Sequence, residues 1–410
     1  MKEGYRLLGD FIQPVDERNR DLKVDYLLGV SISKQFIPSI ANIVGTDLSS
    51  YKIVRTGQFA YGPVTSRNGE KISIALLQDK DCIISSSYTV FEVTDNERLD
   101  PEYLMLWFSR PEFDRYTRYM SHGSVREIFD WDELCKVELP VPSIEKQRGI
   151  VKAYNTITDR IELKRKINDN LAQQLRLLYD YWFTQFDFPD ESGNPYRSSG
   201  GQMVWNNGLK RKIPESWCVV PLGEVSSFRN GINYDKNTTG DTTYHIVNVR
   251  NISSSSILLD ERELDEICLP CTQAEKYLVS NESILIARSG IPGAPRILYN
   301  PSKDIIFCGF IICATPIDSI LQHYLMLFLK QLEGSTATQT GGSILKNVSQ
   351  DTLRDLLVPI PSKDILTQFN QRVALIYEFM HNNLEETSKL QHLRDWLLPM
   401  LMNGQATISD

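Results

Sequence analysis

From Glu145 to Phe183, and again from Lys363 to Met402, the chain has almost no glycine or proline and its apolar residues recur three and four apart. The first stripe is Ile150, Ala153, Tyr154, Ile157, Ile161, Leu163, Ile167, Leu171, Leu175, Leu178 and Trp182; the second is Phe369, Val373, Ile376, Met380, Leu384, Leu390, Leu393 and Leu397. Such spacing predicts two helices, each with one apolar face. A helix of roughly 38 residues spans about 57 Å, more than the width of a small domain. Each could pack on its own domain, but an antiparallel coiled-coil pairing of one with the other buries both stripes better.

The segments before these helices repeat each other. Leu8-Gly9-Asp10 corresponds to Leu222-Gly223-Glu224, and YKIVRTGQFAYGP from Tyr51 to YLVSNESILIARSG from Tyr277. EYLMLWFSR from Glu102 matches HYLMLFLKQ from His323, each apolar enough for a short buried helix. HGSVREI from His122 aligns with GGSILKN from Gly341, and LPVPS ending at Ser143 with VPIPS ending at Ser362. A repeat in constant order predicts a tandem α+β architecture. Its divisions are a first globular domain over 1–143, a long helix over 144–186 and a connector over 187–212. A second globular domain over 213–362, a second long helix over 363–402 and a tail over 403–410 complete it. The connector, dense in Gly, Ser, Pro and Asn from Pro189 to Gly208, reads as extended chain.

Composition narrows the class. With 410 residues, 41% hydrophobic and 23% charged, the chain can bury ordinary cores in two or three domains. Its longest apolar runs, Ile305 to Ala314 and Leu397 to Met402, fall short of the roughly 20 residues of a bilayer span, and MKEGYRLLGDF lacks the features of a secretory signal. A cytoplasmic protein without a membrane partner is expected. Seven scattered cysteines do not form a disulfide framework, and Cys268 and Cys271 lack the further ligands of a zinc site, so no metal is expected. The net charge of -8 argues against DNA binding by a uniformly basic surface, unless the acidic residues face protein partners and a few basic loops face the duplex.

Both PxPS segments with Gln147 or Gln368 after them, the connector WFTQFDFPDESGNPYRSSGGQMVW, the IPESW entry to the second half and the ending LRDWLLPMLMNGQ carry a likeness to a known family. Over essentially its whole length the chain resembles the specificity subunits of Type I restriction-modification systems. The resemblance implies two target recognition domains, each reading one half of a bipartite double-stranded DNA sequence. It also implies two modification (methyltransferase) subunits recruited through the helices, and restriction (translocase/nuclease) subunits beyond them.

Bases would be read from polar, glycine-bearing loops. In ARSGIPGAPR, Arg288 and Ser289 follow an apolar strand, Gly290 and Gly293 permit close approach, and Arg296 stands at the far end. Arginine suits bidentate contact with guanine, although on a surface hairpin it is more often only solvated. The corresponding loop of the first half offers Tyr61, Ser66, Arg67, Asn68 and Lys71, or else an exposed turn made by Asn68-Gly69. The loop before each PxPS adds Ser124 and Arg126, and Ser343 and Lys346, for phosphates or bases, or merely caps the next strand. Arg229, Asn230 and Arg250 are weaker candidates.

No catalytic residue or cofactor site is expected. Adenine methylation needs an Asn/Asp-Pro-Pro-aromatic motif and a glycine-rich donor loop, and Asn194-Pro195-Tyr196 lacks the second proline. A GxxxxGK[ST] phosphate loop is absent, Asp187, Asp190 and Glu191 read as structural, and the five histidines are dispersed. The rival readings are a coiled-coil assembly scaffold that binds only proteins and an enzyme with an unrecognised site. Sequence-specific DNA binding by the assembled complex separates the first rival, and methyl transfer by the isolated chain the second.

Overall fold

Pro140-Val141-Pro142 keeps the chain extended up to Ser143, whose carbonyl accepts the Gln147 N–H at 3.0 Å and starts the first long helix. That helix runs Ile144–Tyr179 and closes in a π turn, Asp180–Thr184, that places Trp182 and Phe183 in apolar packing. Pro359-Ile360-Pro361 repeats the device: the Ser362 carbonyl accepts from Leu366 at 3.1 Å, and the second long helix runs Lys363–Met402. The computed structural model describes residues 4–39, 46–66, 69, 71–123, 127–234, 240–302, 304–333 and 348–406. The chain forms two compact units, one of Met1–Arg160 with Leu390–Asp410, the other of Ile161–Lys389.

In the first unit, strands Ile12–Val15, Thr89–Val93, Phe59–Tyr61 and Ile74–Leu76 lie side by side in that order, all antiparallel. Their apolar face carries Phe59 stacked on Phe91 at 4.8 Å, with Phe108 of the helix Pro101–Phe108 edge-on to both. Asp100 caps that helix by accepting from Tyr103 N at 3.0 Å. Tyr5–Leu7 pairs with Glu138–Pro140, and Ile150, Leu398, Leu401 and Met402 of the long helices join the same core.

The second unit repeats the frame. Strands Ser226–Asn230, Ile311–Pro316, Ile284–Ala287 and Pro295–Arg296 follow the same order with the same antiparallel pairing, and Cys218–Pro221 pairs with Leu357–Ile360. Helix Gln322–Leu332 takes the place of Pro101–Phe108. Even a single hydrogen bond recurs: Tyr103 donates its hydroxyl to the Pro140 carbonyl at 3.1 Å, and Tyr324 donates to that of Pro359. The accessory strands differ. The first unit has two antiparallel pairs, the hairpin Leu28–Val30 with Phe36–Pro38 and the non-consecutive strands Lys52–Val54 with Cys82–Ile84. The second has a three-stranded sheet in which Thr242–Val247 runs parallel to Ile305–Phe307 and antiparallel to Asp265–Leu269.

The long helices pair antiparallel. Within the second unit Lys164 Nζ reaches Asn383 Oδ1 at 3.0 Å and Glu386 at 2.6 Å, Asn168 Nδ2 donates to the Met380 carbonyl at 3.1 Å, and Asn383 Nδ2 donates to Asn168 Oδ1 at 2.9 Å. Polar groups held at this seam oppose a slip in register, which would leave them unpaired. Residues 187–212, expected as extended chain, are instead folded. Phe188 stacks between Tyr196 at 4.8 Å and Trp217 at 5.5 Å, Asp187 accepts from Ser198 N and Oγ, and Met203–Asn206 forms a hairpin with Arg211–Pro214. The aromatic residues among the glycines and serines supply the apolar anchor that the segment's polar composition concealed.

Candidate nucleic-acid interface

In both units the loop after the central strand meets the segment that precedes the PxPS strand. In the first, Thr65 N–H donates to the Glu127 carbonyl at 3.0 Å, Thr65 Oγ1 donates to Ser121 Oγ at 3.0 Å, and Val64 and His122 both bridge to Ile128. In the second, Gly293, with φ +84°, lies against Val348. Residues that flank two of the expected contact segments are therefore neighbours within each unit, which their separation in sequence did not reveal.

The individual residues fare differently. Tyr61 is 0% exposed, packed edge-on to Phe91 and Phe129, so it is a core residue and not a DNA contact; burial pushes its phenol well above the ordinary value. Its place on an apolar three-residue strand explains the correction, since alternate residues of that strand all face packed layers. Arg296 is corrected too. At 2% exposure it forms a bidentate pair with Glu333, at 3.0 and 3.2 Å, and donates to the Ser255 and Pro295 carbonyls at 2.8 and 2.7 Å. Lys330 completes the cluster, its ammonium 2.6 Å from Glu333 Oε2 and 2.7 Å from the Ser256 carbonyl. Burial pushes the Glu333 carboxyl up, but the hydrogen bonds from Arg296 and Lys330 prevail and hold it below the usual value. Burial also pulls the Lys330 ammonium down.

Arg288 and Ser289 are half-buried on a surface turn. The Arg288 backbone N–H donates to the Phe310 carbonyl at 2.9 Å, which fixes its main chain, and its Nη1 donates to the Gly309 carbonyl of the same neighbouring turn at 3.3 Å, which holds the guanidinium at one point. Ser66 and Lys71 are exposed. Arg67, Asn68, Ser124, Arg126, Ser343 and Lys346 lie outside the described residues. Of the weaker candidates, Arg229 is engaged with the Lys276 and Leu278 carbonyls, while Arg250, with 63% of its side chain exposed, pairs with Asp265.

A group that sequence reasoning missed holds the first unit's loop Ser31–Gln35. Lys34, with φ +63°, sends its ammonium 2.8 Å from Asp114 Oδ1, onto the Phe108 carbonyl and 5.5 Å from the Phe113 ring centre. Burial pulls this ammonium down against the pull of Asp114. Lys34 sits in a polar surface run, and its partner is 80 residues away in sequence, so nothing local marks it.

Residues 40–173 and 214–392 match the sequence profile of the Type I restriction modification DNA specificity domain. The Type I restriction enzyme MjaIX specificity subunit of Methanocaldococcus jannaschii is 23% identical over 312 residues, covering 75% of this chain and 70% of that protein. The HindI specificity subunit of Haemophilus influenzae is 22% identical over an alignment of 424, covering 89% and 90%. The crystal structure of a Type I restriction-modification system S subunit from M. genitalium superposes over 99% of this chain and 96% of that one, with TM-score 0.53 and 15% identity, a likeness of fold. One profile match falls on each copy of the frame, the first beginning after strand Ile12–Val15, and each reaches into the long helix that follows; on that ground the chain belongs to the Type I restriction-modification specificity family.

Proposed function

We propose that this chain is the DNA-recognition subunit of a Type I restriction-modification complex, a non-catalytic subunit whose two recognition domains each read one half of a bipartite site. The observation that carries this reading is the duplication of one four-stranded frame with different loops on it, since one scaffold with two loop sets reads two half-sites. Major-groove readout needs side chains held in place, and the paired backbone of Arg288 with the bond from its Nη1 to the Gly309 carbonyl supports a guanine contact there. The net charge of -8 places much of the phosphate affinity on partners, so the chain alone binds DNA weakly. Leu163, Ile167, Leu177, Tyr181, Leu375 and Phe379 of the long helices are exposed, and this apolar surface supports docking of modification subunits there, with restriction subunits beyond. No helix among the described residues is long and apolar enough to cross a membrane, and the subunit works in the cytoplasm, where its DNA is. A scaffold that binds only proteins does not account for profile matches in both recognition domains.

The test is single-molecule sequencing of methylated adenine in cells expressing this chain with its modification subunit, against cells lacking the chain. The expected result is a two-part motif with a fixed gap that vanishes without the chain. Unchanged methylation with the complex assembled overturns the reading.

A further inference from the structure

The turn that holds Arg288 also presents an uncovered aromatic ring. Gly309 N–H donates to the Ile232 carbonyl at 2.7 Å and Ile311 N–H to the Cys308 carbonyl at 2.9 Å, while the Phe310 carbonyl accepts from Arg288 N. Asn233 fills the space beside Gly309 so closely that an added Cβ would lie 1.9 Å from its Oδ1. The backbone is thus fixed on several sides, yet the Phe310 side chain is 62% exposed, and Ile291, in the turn that follows Arg288, is 38% exposed. Isolated exposed apolar residues are ordinary, but here two of them flank an oriented arginine.

Strand register shows what the first domain has in the same place. Ile286 pairs with Ile312 and Pro295 in the second sheet, as Tyr61 pairs with Thr89 and Ile74 in the first, and both belong to the core that includes the short helix. Two residues outward along each strand, Phe310 therefore corresponds to Ser87, and Arg288 to Pro63. Ser87 is exposed, its hydroxyl 3.1 Å from that of Ser85. The second domain thus carries an arginine and a bare phenylalanine where the first carries a proline and a serine. The exposed ring is particular to the second domain.

We infer that Phe310 is a specificity-determining residue of the second recognition domain, its ring packing on the C5-methyl group of a thymine in the major groove beside the base contacted by Arg288. Thymine is the base whose groove edge offers an apolar contact, and a rigid phenyl ring beside a bidentate donor suits it. The inference rests on the DNA-reading function proposed above.

The experiment uses the complex of this chain with its modification subunit, wild type and Phe310→Ala, with Phe310→Leu retaining apolar bulk. Methylation sequencing first gives the wild-type motif. Duplexes are then compared in which each thymine of the second half-site is replaced by deoxyuridine, which deletes only the methyl group. For wild type, one replacement weakens binding about fourfold, the worth of one buried methyl group. Phe310→Ala binds the thymine duplex about that much less well and does not distinguish the two duplexes, Phe310→Leu keeps part of the distinction, and the first half-site is read as before. A motif read normally by Phe310→Ala, a second half-site without thymine, or a loss confined to assembly with the modification subunit each overturns the inference and leaves the DNA-reading function standing. Absence of any motif with wild type overturns both.

Discussion

The two recognition domains share their apolar frame and differ in how buried charge ties loops to it. Both have the same order of four strands, the same short helix and the same tyrosine-to-proline-carbonyl hydrogen bond. In the first, Lys34 and Asp114 tie the Ser31–Gln35 loop to the helix pair formed by Pro101–Phe108 and Pro111–Met120. In the second, Arg296, Glu333 and Lys330 tie an edge strand to the end of helix Gln322–Leu332 and to the carbonyls of Ser255 and Ser256. The clusters occupy different positions. Apolar packing sets the sheet and helix whatever the loops are, so loops can differ between copies, and each loop set needs its own polar anchor.

Removing either anchor is the strongest way to break this comparison. Arg296→Met leaves Glu333 buried without its bidentate partner, and Lys34→Met leaves Asp114 likewise; loss of one member of a buried pair costs about 3–5 kcal/mol. Hydrogen exchange should rise in the second unit for the first variant and in the first unit for the second. Protection lost equally in both units by either variant would refute the view that each anchor serves its own domain.

The next difference is at the first residue of the repeated helix motif, Glu102 in one copy and His323 in the other. Glu102 accepts from Asn155 Nδ2 at 2.8 Å. His323 stacks on Tyr377 at 4.7 Å, and its Nδ1 has no hydrogen-bond partner among the described residues. Burial lowers its pKa to about 4 from an ordinary 6.5. The unfolded state then binds a proton that the folded state refuses, so this contribution is complete above pH 6.5 and is lost as pH falls toward 4, up to about 3 kcal/mol. Urea unfolding followed between pH 7.5 and 4.5 should show a shallower acid loss for His323→Phe than for wild type. Parallel curves would mean that His323 is solvated and the stacking does not exclude water.

Gln147 and Gln368 look alike in sequence, each shortly after PxPS, but are not equivalent. Gln147 is 0% exposed, accepts from Asp100 N at 2.9 Å and donates to the carbonyls of Arg98 and Pro142 at 3.0 and 2.8 Å. Gln368 is exposed. Gln147→Ala should cost about 1–3 kcal/mol through buried groups left unpaired, and Gln368→Ala under about 0.5 kcal/mol. Equal midpoints in urea for the two variants would show that the buried network contributes nothing.

Why some of this was legible follows from the length of the pattern. Stripes such as Ile150 to Trp182 repeat an apolar face over many turns, and both helices, their antiparallel pairing and the tandem α+β frame could be read from them. The loops gave weaker signals. Arg296 has the residue type of a DNA reader, but its burial depends on Glu333, 37 residues on, and Tyr61 looks like a loop residue only until its strand is seen to lie in the middle of a packed sheet. Phe310 stands inside the apolar run Ile305 to Ala314, which reads as uniformly buried; only the turn between two strands brings its ring into solvent.

The smallest effect tests the likeness itself. Tyr103 and Tyr324 occupy the same place in the two copies of the helix motif and donate to Pro140 and Pro359, the first prolines of LPVPS and VPIPS. Each bond ties the short helix to the extended segment from which a long helix starts. Replacing tyrosine by phenylalanine removes one neutral donor and leaves a carbonyl with a remaining lone pair, so each variant should lose about 0.5–1.5 kcal/mol. The two sites lie in separate compact units and share no hydrogen-bond partner, so Tyr103→Phe and Tyr324→Phe should add within about 0.5 kcal/mol in the double variant. Unequal single losses, one near zero and the other near the upper bound, would show that the shared geometry has a different energetic role in each domain. Equal losses that add would show that the two domains use the repeated bond in the same way and independently.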